Sequence, residues 1–250
     1  MIFIVPLQSP QVSRDWGHVS RLAVRGLSSI CQQTKGDFRV FLICNEPPAG
    51  LKPHPALTVI AEDFPVPFER GAARMHDKWR KVKRGLIVAR DFAPAHYMCV
   101  DADDCVHRDL AAFADARPHE MGWFMETGYM HDEGSRWLFR RAQFEATCGS
   151  SSIVRCELAD LPSSMEDDDE QFPILRFGHS AIRAGMIELG RPLAELPFIG
   201  AIYNTGTGEN DSEVAVRSWR GARMLLQKIT KSRLLTTAVR EQFGLYELES

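Results

Sequence analysis

Short apolar runs alternate along the chain with longer segments that have the period of an amphipathic helix. The apolar runs occupy residues 2–5, 39–44, 57–61, 96–100, 122–126 and 152–155. Helical periodicity covers residues 15–34, 71–91 and 109–116, and it returns from residue 180 and from about residue 212 to the end. This alternation is typical of parallel strands joined by helical crossovers. We therefore predict an α/β fold.

The second long helical segment carries both a predicted core stripe and two notable lysines. The residues expected on its buried face repeat at helical spacing: Met75, Trp79, Val82, Leu86 and Ala89. Lys78 and Lys81 lie on a neighbouring face of the same helix.

Charge and cysteine usage exclude several classes of protein. The 250 residues carry a formal charge of −3, from 30 Lys and Arg against 33 Asp and Glu. Such a balance lacks the positive field of a general nucleic-acid binder, so we expect no nucleic-acid partner. None of the six cysteines forms a Cys-x-x-Cys pair, which favours reduced thiols and a cytoplasmic location. No run reaches the roughly 18–20 apolar residues of a membrane span, so we expect a soluble protein or one attached only at a membrane surface.

An acidic segment, Asp101-Ala102-Asp103-Asp104, directly follows the apolar run at residues 96–100. In open α/β sheets, ligands bind at the carboxyl ends of strands. Residues i and i+2 of an extended segment point the same way, so Asp101 and Asp103 can face one ligand. Carboxylates this close repel each other unless a cation separates them, and Mg²⁺ or Mn²⁺, held partly by substrate phosphates, meets that need. The alternative is a polar turn after a core strand.

Two other uses of acidic residues fit this segment less well. An EF-hand requires an oxygen ligand and a glycine where the chain has Cys105 and Val106. A phosphatase with an aspartyl nucleophile would carry its Asp-x-Asp motif after the first strand.

The order of these features resembles that of the nucleotide-sugar-dependent glycosyltransferases of the GT-A fold, especially the family-2-like bacterial enzymes with a DXD motif. The resemblance covers roughly residues 1–190. Its parts are I-F-I-V-P at 2–6, C-N-E at 44–46, E-D at 62–63, D-A-D-D at 101–104, G-S-S-S-I-V-R-C-E at 149–157 and M-E-D-D at 165–168. It implies a Rossmann-like, mostly parallel central sheet flanked by helices, with C-terminal helices. Residues 1–205 would form the GT-A-like domain, and residues 206–250 a helical extension packed on it.

The resemblance also implies an activity. The protein would use Mn²⁺ or Mg²⁺ to transfer a sugar, with inversion, from a nucleotide-sugar donor, preferably a UDP-sugar. The acceptor would be a glycan or a lipid-linked glycan in bacterial polysaccharide synthesis.

Donor-binding roles follow for residues from several loops. Those implied to bind the nucleotide sugar are Pro6, Leu7, Asn45, Asp63, Lys78, Lys81, Ala102, Gly149 and Ser150. The two lysines would reach a pyrophosphate or a donor carboxylate. Each group also has a structural alternative. Asn45 and Asp63 equally suit turns before prolines, and the two lysines equally suit a solvated helix face. The serines equally suit a turn before a strand.

Acceptor-side and metal roles complete the implied site. Asp167 would take the proton of the acceptor hydroxyl, with Glu166 and Asp168 as close substitutes. His179 would complete the metal site, since imidazole suits Mn²⁺ and Gly178 permits close backbone approach. The alternatives are an acidic helix N-terminus for the carboxylates and a capping or core histidine for His179.

Two competing functions remain open. A nucleotidyltransferase that makes nucleotide sugars would carry a glycine-rich loop after the first strand, where this chain has P-L-Q-S-P-Q at 6–11. A non-catalytic module that binds nucleotide or glycan would not need the intact Asp-x-Asp.

The C-terminal segment contains a cluster of basic residues interleaved with apolar ones. They are Arg217, Arg220, Arg223, Lys228, Lys231, Arg233 and Arg240. A basic amphipathic helix is able to lie on an anionic membrane, so peripheral membrane contact is one expectation. The alternative is a helix whose apolar stripe packs on the catalytic domain.

Overall fold

A computed structural model describes residues 1–34, 37–208 and 232–248. Within these residues the chain forms one sheet of seven strands and one of five, with helices on both faces of the larger sheet. The fold is therefore α/β, with a mostly parallel central sheet flanked by helices, and this prediction is confirmed.

The larger sheet is built on continuous apolar strands. Its strands are β1 (Ile2–Pro6), β2 (Arg39–Cys44), β3 (Leu57–Ala61), β4 (His96–Cys99), β6 (Gly122–Phe124), β9 (Ser152–Arg155) and β10 (Ala194–Glu195). Their order is β10-β6-β9-β4-β1-β2-β3. Strands β4, β1, β2 and β3 run parallel, whereas β9 is antiparallel to both β4 and β6. Strands β1, β2 and β4 are apolar and buried along nearly their whole length, as strands covered by helices on both faces must be.

Four helices cover the two faces of this sheet. They are α1 (Trp16–Cys31), α2 (Ala72–Ala89), α3 (Leu110–Asp115) and α4 (Pro173–Glu188), and α5 (Thr237–Phe243) follows near the C-terminus. Helices α1 and α3 pack on one face, and α2 and α4 pack on the other. The Asp15 carboxylate caps α1 by accepting a hydrogen bond from the backbone N–H of His18 at 2.9 Å.

Helix α4 begins earlier than predicted, and it contains a kink that was not predicted. It begins at Pro173 rather than at residue 180, and Gly178 interrupts it with φ of +63°. Only glycine adopts the φ and ψ of Gly178 without strain, so the sequence here encodes a kink.

The smaller sheet does not follow from the sequence patterns. Its strands are β5 (Cys105–Val106), β7 (Thr127–Asp132), β8 (Trp137–Ala142), β11 (Ala201–Thr205) and β12 (Ser232–Leu234). Their order is β12-β8-β7-β11-β5. Residues 232–234 were expected to be helical, but they pair antiparallel with β8. Most of the predicted helix beginning near residue 212 lies outside the described residues.

One predicted core position is wrong. Val82, Leu86 and Ala89 of α2 are fully buried, but Met75 is 40% exposed. Met75 lies in the first turn of α2, beyond the edge of the sheet, where it lines a cleft instead of the core.

Candidate functional site

A cleft of about 210 Å³ opens at the carboxyl ends of β1 and β4, between α1 and α2. Part of its wall is apolar, and it comes from the end of β1 and from α1: Leu7, Val19, Leu22 and Ala23. Its other end is charged and includes Lys78, Asp101 and Asp103. Seven residues with predicted roles line it together: Pro6, Leu7, Lys78, Lys81, Asp101, Ala102 and Asp103.

The acidic segment after β4 is fixed by backbone contacts and by a buried carboxylate. A Cβ on Gly26 of α1 would collide with the carbonyl oxygen of Ala102, so glycine allows the segment to lie against the helix. Asp104 is fully buried and accepts hydrogen bonds from Ser150 Oγ at 2.7 Å and from the backbone N–H of Asn204 at 3.2 Å. Asp104 therefore anchors the segment and leaves Asp101 and Asp103 facing the cleft.

Asp101 pairs with a lysine from α2. Lys78 Nζ lies 2.5 Å from Asp101 Oδ1. Burial acts to raise the pKa of Asp101, but the ammonium of Lys78 outweighs it and holds that pKa below its usual value. A Cβ on Gly149 would collide with the Asp101 carboxylate and lie 2.9 Å from Lys78 Nζ. The predicted donor residue Gly149 thus makes room for this ion pair.

Among the residues that the structure describes, Asp103 has no comparable neutralising partner. Burial, together with the charge of Asp101, raises the pKa of Asp103 to about 6. A carboxylate held in such a place is stabilised by any cation that reaches it.

These two carboxylates fit part of a metal site. Mg²⁺ and Mn²⁺ commonly take one or two protein carboxylates and fill the remaining positions with phosphate oxygens and water. In the described part of the chain, no three His, Cys, Asp or Glu side chains converge closely enough to hold a metal ion. Asp101 and Asp103 could therefore supply two carboxylates to a divalent ion, and substrate oxygens and water would have to fill its remaining positions.

His179 lies close enough to the ion pair for their charges to act on it. Burial, and then the charge of Lys78, lower the pKa of His179, whereas Asp101 acts to raise it. The neutral imidazole that burial favours is the form that binds metals. Its role as a third ligand stays a prediction.

Lys81 occupies a different position from Lys78, although both line the cleft. The Lys81 side chain is 0% exposed, and its Nζ donates to Asp77 Oδ2 at 2.7 Å and to the Leu7 carbonyl at 2.9 Å. Burial lowers its pKa. Its ammonium ties α2 to the end of β1, a contact that the sequence did not reveal.

Asn45, Asp63 and Ser150 are not among the residues that line the cleft. Asn45 Nδ2 donates to the Phe64 carbonyl at 2.7 Å, which is turn chemistry, and Asp63 is exposed. Ser150 Oγ accepts from the Asp101 N–H at 2.8 Å and donates to Asp104, so Ser150 supports the acidic segment from behind.

The three candidate bases lie in a loop before α4 and do not line the cleft. Asp167 Oδ2 accepts from the N–H groups of Ser163 and Ser164, and the Ser163 N–H is the largest influence that lowers its pKa. Glu166 accepts from Ser164 Oγ, and Asp168 caps a short 3₁₀ helix. These hydrogen bonds organise the loop.

A buried lysine holds this loop in place. Lys83 Nζ donates to the carbonyls of Met165 and Asp167 and pairs with Asp169 Oδ1 at 2.8 Å. Lys83 therefore fixes the loop to α2, and Glu166, Asp167 and Asp168 accept hydrogen bonds from within the loop itself.

Comparisons with known proteins give little beyond the fold. No protein-family model matches the chain, and no curated protein matches it. Among solved structures, it is similar to the crystal structure of TarS from S. aureus, a glycosyltransferase, with 15% sequence identity and a TM-score of 0.45. The match covers 82% of this chain but 36% of the TarS chain, so this chain spans well under half the length of TarS. A likeness this distant gives no information on substrate or reaction.

Within the described ranges, no helix is both long enough and apolar enough to cross a membrane.

Proposed function

We propose that this protein is a metal-dependent glycosyltransferase of the GT-A type that transfers a sugar from a nucleoside diphosphate donor, with UDP preferred. Its acceptor would be a glycan or a lipid-linked glycan in bacterial polysaccharide synthesis, and transfer would invert the anomeric centre. One observation carries the proposal: a single cleft has an apolar wall and a charged end, and the charged end contains Asp101, Asp103 and Lys78. A nucleoside diphosphate likewise joins a base, whose flat faces pack on apolar side chains, to an anionic diphosphate.

The two carboxylates would hold the divalent ion. Mg²⁺ or Mn²⁺ bound by Asp101 and Asp103 supplies Lewis-acid stabilisation of the charge that develops on the leaving diphosphate. The raised pKa of Asp103 supports this assignment, because a carboxylate that repels its neighbour gains most from a cation.

The remaining residues of the cleft would bind and orient the donor. Leu7 and the apolar residues of α1 would contact the base and ribose, and the ammonium of Lys78 would contact the diphosphate oxygens. Lys81 would act indirectly, because its ammonium already holds the end of β1.

A thermal-shift panel tests the proposal. UDP, GDP, CMP and TDP are each added to the protein with Mn²⁺ or with EDTA, because a ligand that binds the folded state raises the melting temperature by mass action. We expect the largest shift with UDP, and only when Mn²⁺ is present. An Asp91→Asn variant, altered at an exposed position away from the cleft, should give the same shift as the unaltered protein.

Other outcomes contradict the proposal in different ways. No shift with any nucleotide overturns it. A shift that is equal in EDTA, without release of UDP from UDP-sugars, indicates a non-catalytic nucleotide-binding module. UTP is added to the panel as a comparison, and a larger shift with UTP than with UDP would indicate a nucleotidyltransferase.

A further inference from the structure

A second carboxylate lies at the same edge of the larger sheet as Asp101. Strand β9 pairs with both β4 and β6, and Ile153 is the partner of Met98 on one side and of Trp123 on the other. Asp101 lies three residues beyond Met98, and Glu126 lies three residues beyond Trp123. Asp101 and Glu126 therefore follow two parallel strands, β4 and β6, at the same level, with β9 between them and the strand axes about 10 Å apart.

Both carboxylates belong to the same face of the sheet. Side chains alternate between faces along a strand, so Asp101 shares a face with Cys99, and Glu126 with Phe124. Cys99 and Phe124 both pack in the core beneath α2 and α4. Asp101 and Glu126 thus lie on the side of the sheet that α4 covers.

Two side chains from consecutive turns of α4 lie near Asp101 and Glu126. His179 lies where the charges of Asp101 and Lys78 act on it. Arg183, one turn later, pairs with Glu126 at 3.3 Å and with Glu145 at 2.8 Å, and its guanidinium lies 3.9 Å from the centre of the Phe124 ring. Arg183 therefore holds Glu126 in place at the sheet edge where Asp101 lies.

Unpaired polar atoms lie around Glu126. Ser152 of β9 is 7% exposed and pairs in register with Phe124, and its Oγ has no hydrogen-bond partner among the described residues. Glu145 is 8% exposed, and its Oε2 likewise has no partner in the described part of the chain. Buried polar atoms without partners are rare and costly. Both atoms are shielded from solvent in the ligand-free protein, so a sugar hydroxyl would bond to them once these side chains turn towards it.

We propose that Glu126 is the base that activates the acceptor hydroxyl, in a subsite for a neutral sugar formed with Ser152 and Arg183. This assignment rests on the proposed transferase function and replaces the sequence-based assignment to Asp167. The nucleotide cleft and Glu126 lie on opposite sides of Asp101, as the donor and the acceptor of a direct displacement must.

The transfer step needs only Glu126, the acceptor hydroxyl and the donor. The Glu126 carboxylate takes the proton of the acceptor hydroxyl, and a lone pair of that oxygen forms the bond to the anomeric carbon. The bond from that carbon to the diphosphate oxygen breaks, and its electron pair leaves with the nucleoside diphosphate.

The test uses water as the acceptor and measures UDP release from UDP-glucose, UDP-galactose and UDP-N-acetylglucosamine with Mn²⁺. We expect Glu126→Gln to lower kcat by about 10²–10⁴-fold, the usual contribution of a general base, and to leave the affinity for UDP and Mn²⁺ unchanged. The matched control is Glu188→Gln, at the exposed end of α4, which should keep the kcat of the unaltered protein.

Three results would overturn the assignment. The first is a Glu126→Gln variant with normal kcat, and the second is an Asp167→Asn variant that loses kcat while Glu126→Gln keeps it. The third is a protein that binds UDP with Mn²⁺ but hydrolyses none of the three donors, because a base beside the anomeric carbon would activate water as well. Failure of UDP binding itself would instead overturn the proposed function, so the two failures are distinguishable.

Discussion

Asp103 is a carboxylate whose ionised form is costly in the folded protein. Its pKa is raised to about 6 by burial and by the charge of Asp101, so its ionised form is disfavoured in the folded protein. Asp101 differs, because Lys78 neutralises it at 2.5 Å. Within the described part of the chain, the cleft thus contains one carboxylate paired with a lysine, Asp101, and one without such a pair, Asp103. Asp103 destabilises the ligand-free fold at neutral pH.

Asp103→Asn should therefore stabilise the protein in EDTA. In the folded state the Asp103 pKa lies above its value of 3.8 in the unfolded chain, so Asp103 lowers stability progressively as the pH rises from about 4 through 6. At pH 8 the variant should be more stable by on the order of 1–3 kcal/mol, and the gain should shrink as the pH falls towards 4. Urea unfolding at both pH values measures this, and a variant that is less stable at pH 8 would contradict it.

At the level of elements, strands within the larger sheet were the most predictable. Strands β2, β3 and β9 have the predicted bounds, because each is a short apolar run between turn residues. The smaller sheet was missed, in part because β5 and β12 have only two or three residues and because β11 buries polar side chains. Asn204 and Thr205 of β11 are buried among partners such as His131 and Asp132, which no sequence pattern announces.

In the candidate site, too, some positions could be predicted from the sequence and others depend on how the elements pack. Asp101 and Asp103 were predictable, because a polar segment directly follows a core strand. Lys81 was predicted to reach a pyrophosphate. Its burial against Asp77 could not be predicted from the sequence, because it depends on how α2 packs on β1. Glu126 was not singled out from the sequence, because a single Glu after a strand forms no motif, and only the register through β9 places it at the level of Asp101.

Lys81→Met should show that this lysine joins two elements. The change leaves the buried Asp77 carboxylate without its cation, and loss of one partner of a buried pair costs about 3–5 kcal/mol. We expect that loss in the free energy of unfolding, measured with urea, and no loss for Lys52→Met at an exposed loop position. A loss below about 1 kcal/mol would show that Asp77 does not depend on Lys81.

At the scale of the whole molecule, Asp104 joins the two sheets. It follows the acidic segment of the larger sheet and accepts from the backbone of β11 in the smaller one. The C-terminal residues that are described also pack on the smaller sheet, where Arg233 donates to the Tyr129 hydroxyl at 3.2 Å. Two of the seven basic residues of the C-terminal cluster are described, Arg233 and Arg240, and both donate hydrogen bonds within the protein.

Liposome flotation tests the predicted membrane contact of this cluster. If the five remaining basic residues face an anionic surface, the protein should float with vesicles rich in anionic lipid at low salt and less so at physiological salt. Neutral vesicles are the control. No flotation at either salt concentration would leave the segment with a packing role alone.

Calorimetric titration of UDP in Mn²⁺ or in EDTA tests whether Asp101 and Asp103 hold a divalent ion against a nucleoside diphosphate. We expect Mn²⁺-dependent binding to the unaltered protein and its loss in Asp103→Ala, with the fold intact by circular dichroism. Asp91→Asn should bind as the unaltered protein does. Equal UDP affinity in Asp103→Ala and in the unaltered protein, with or without EDTA, would contradict the claim.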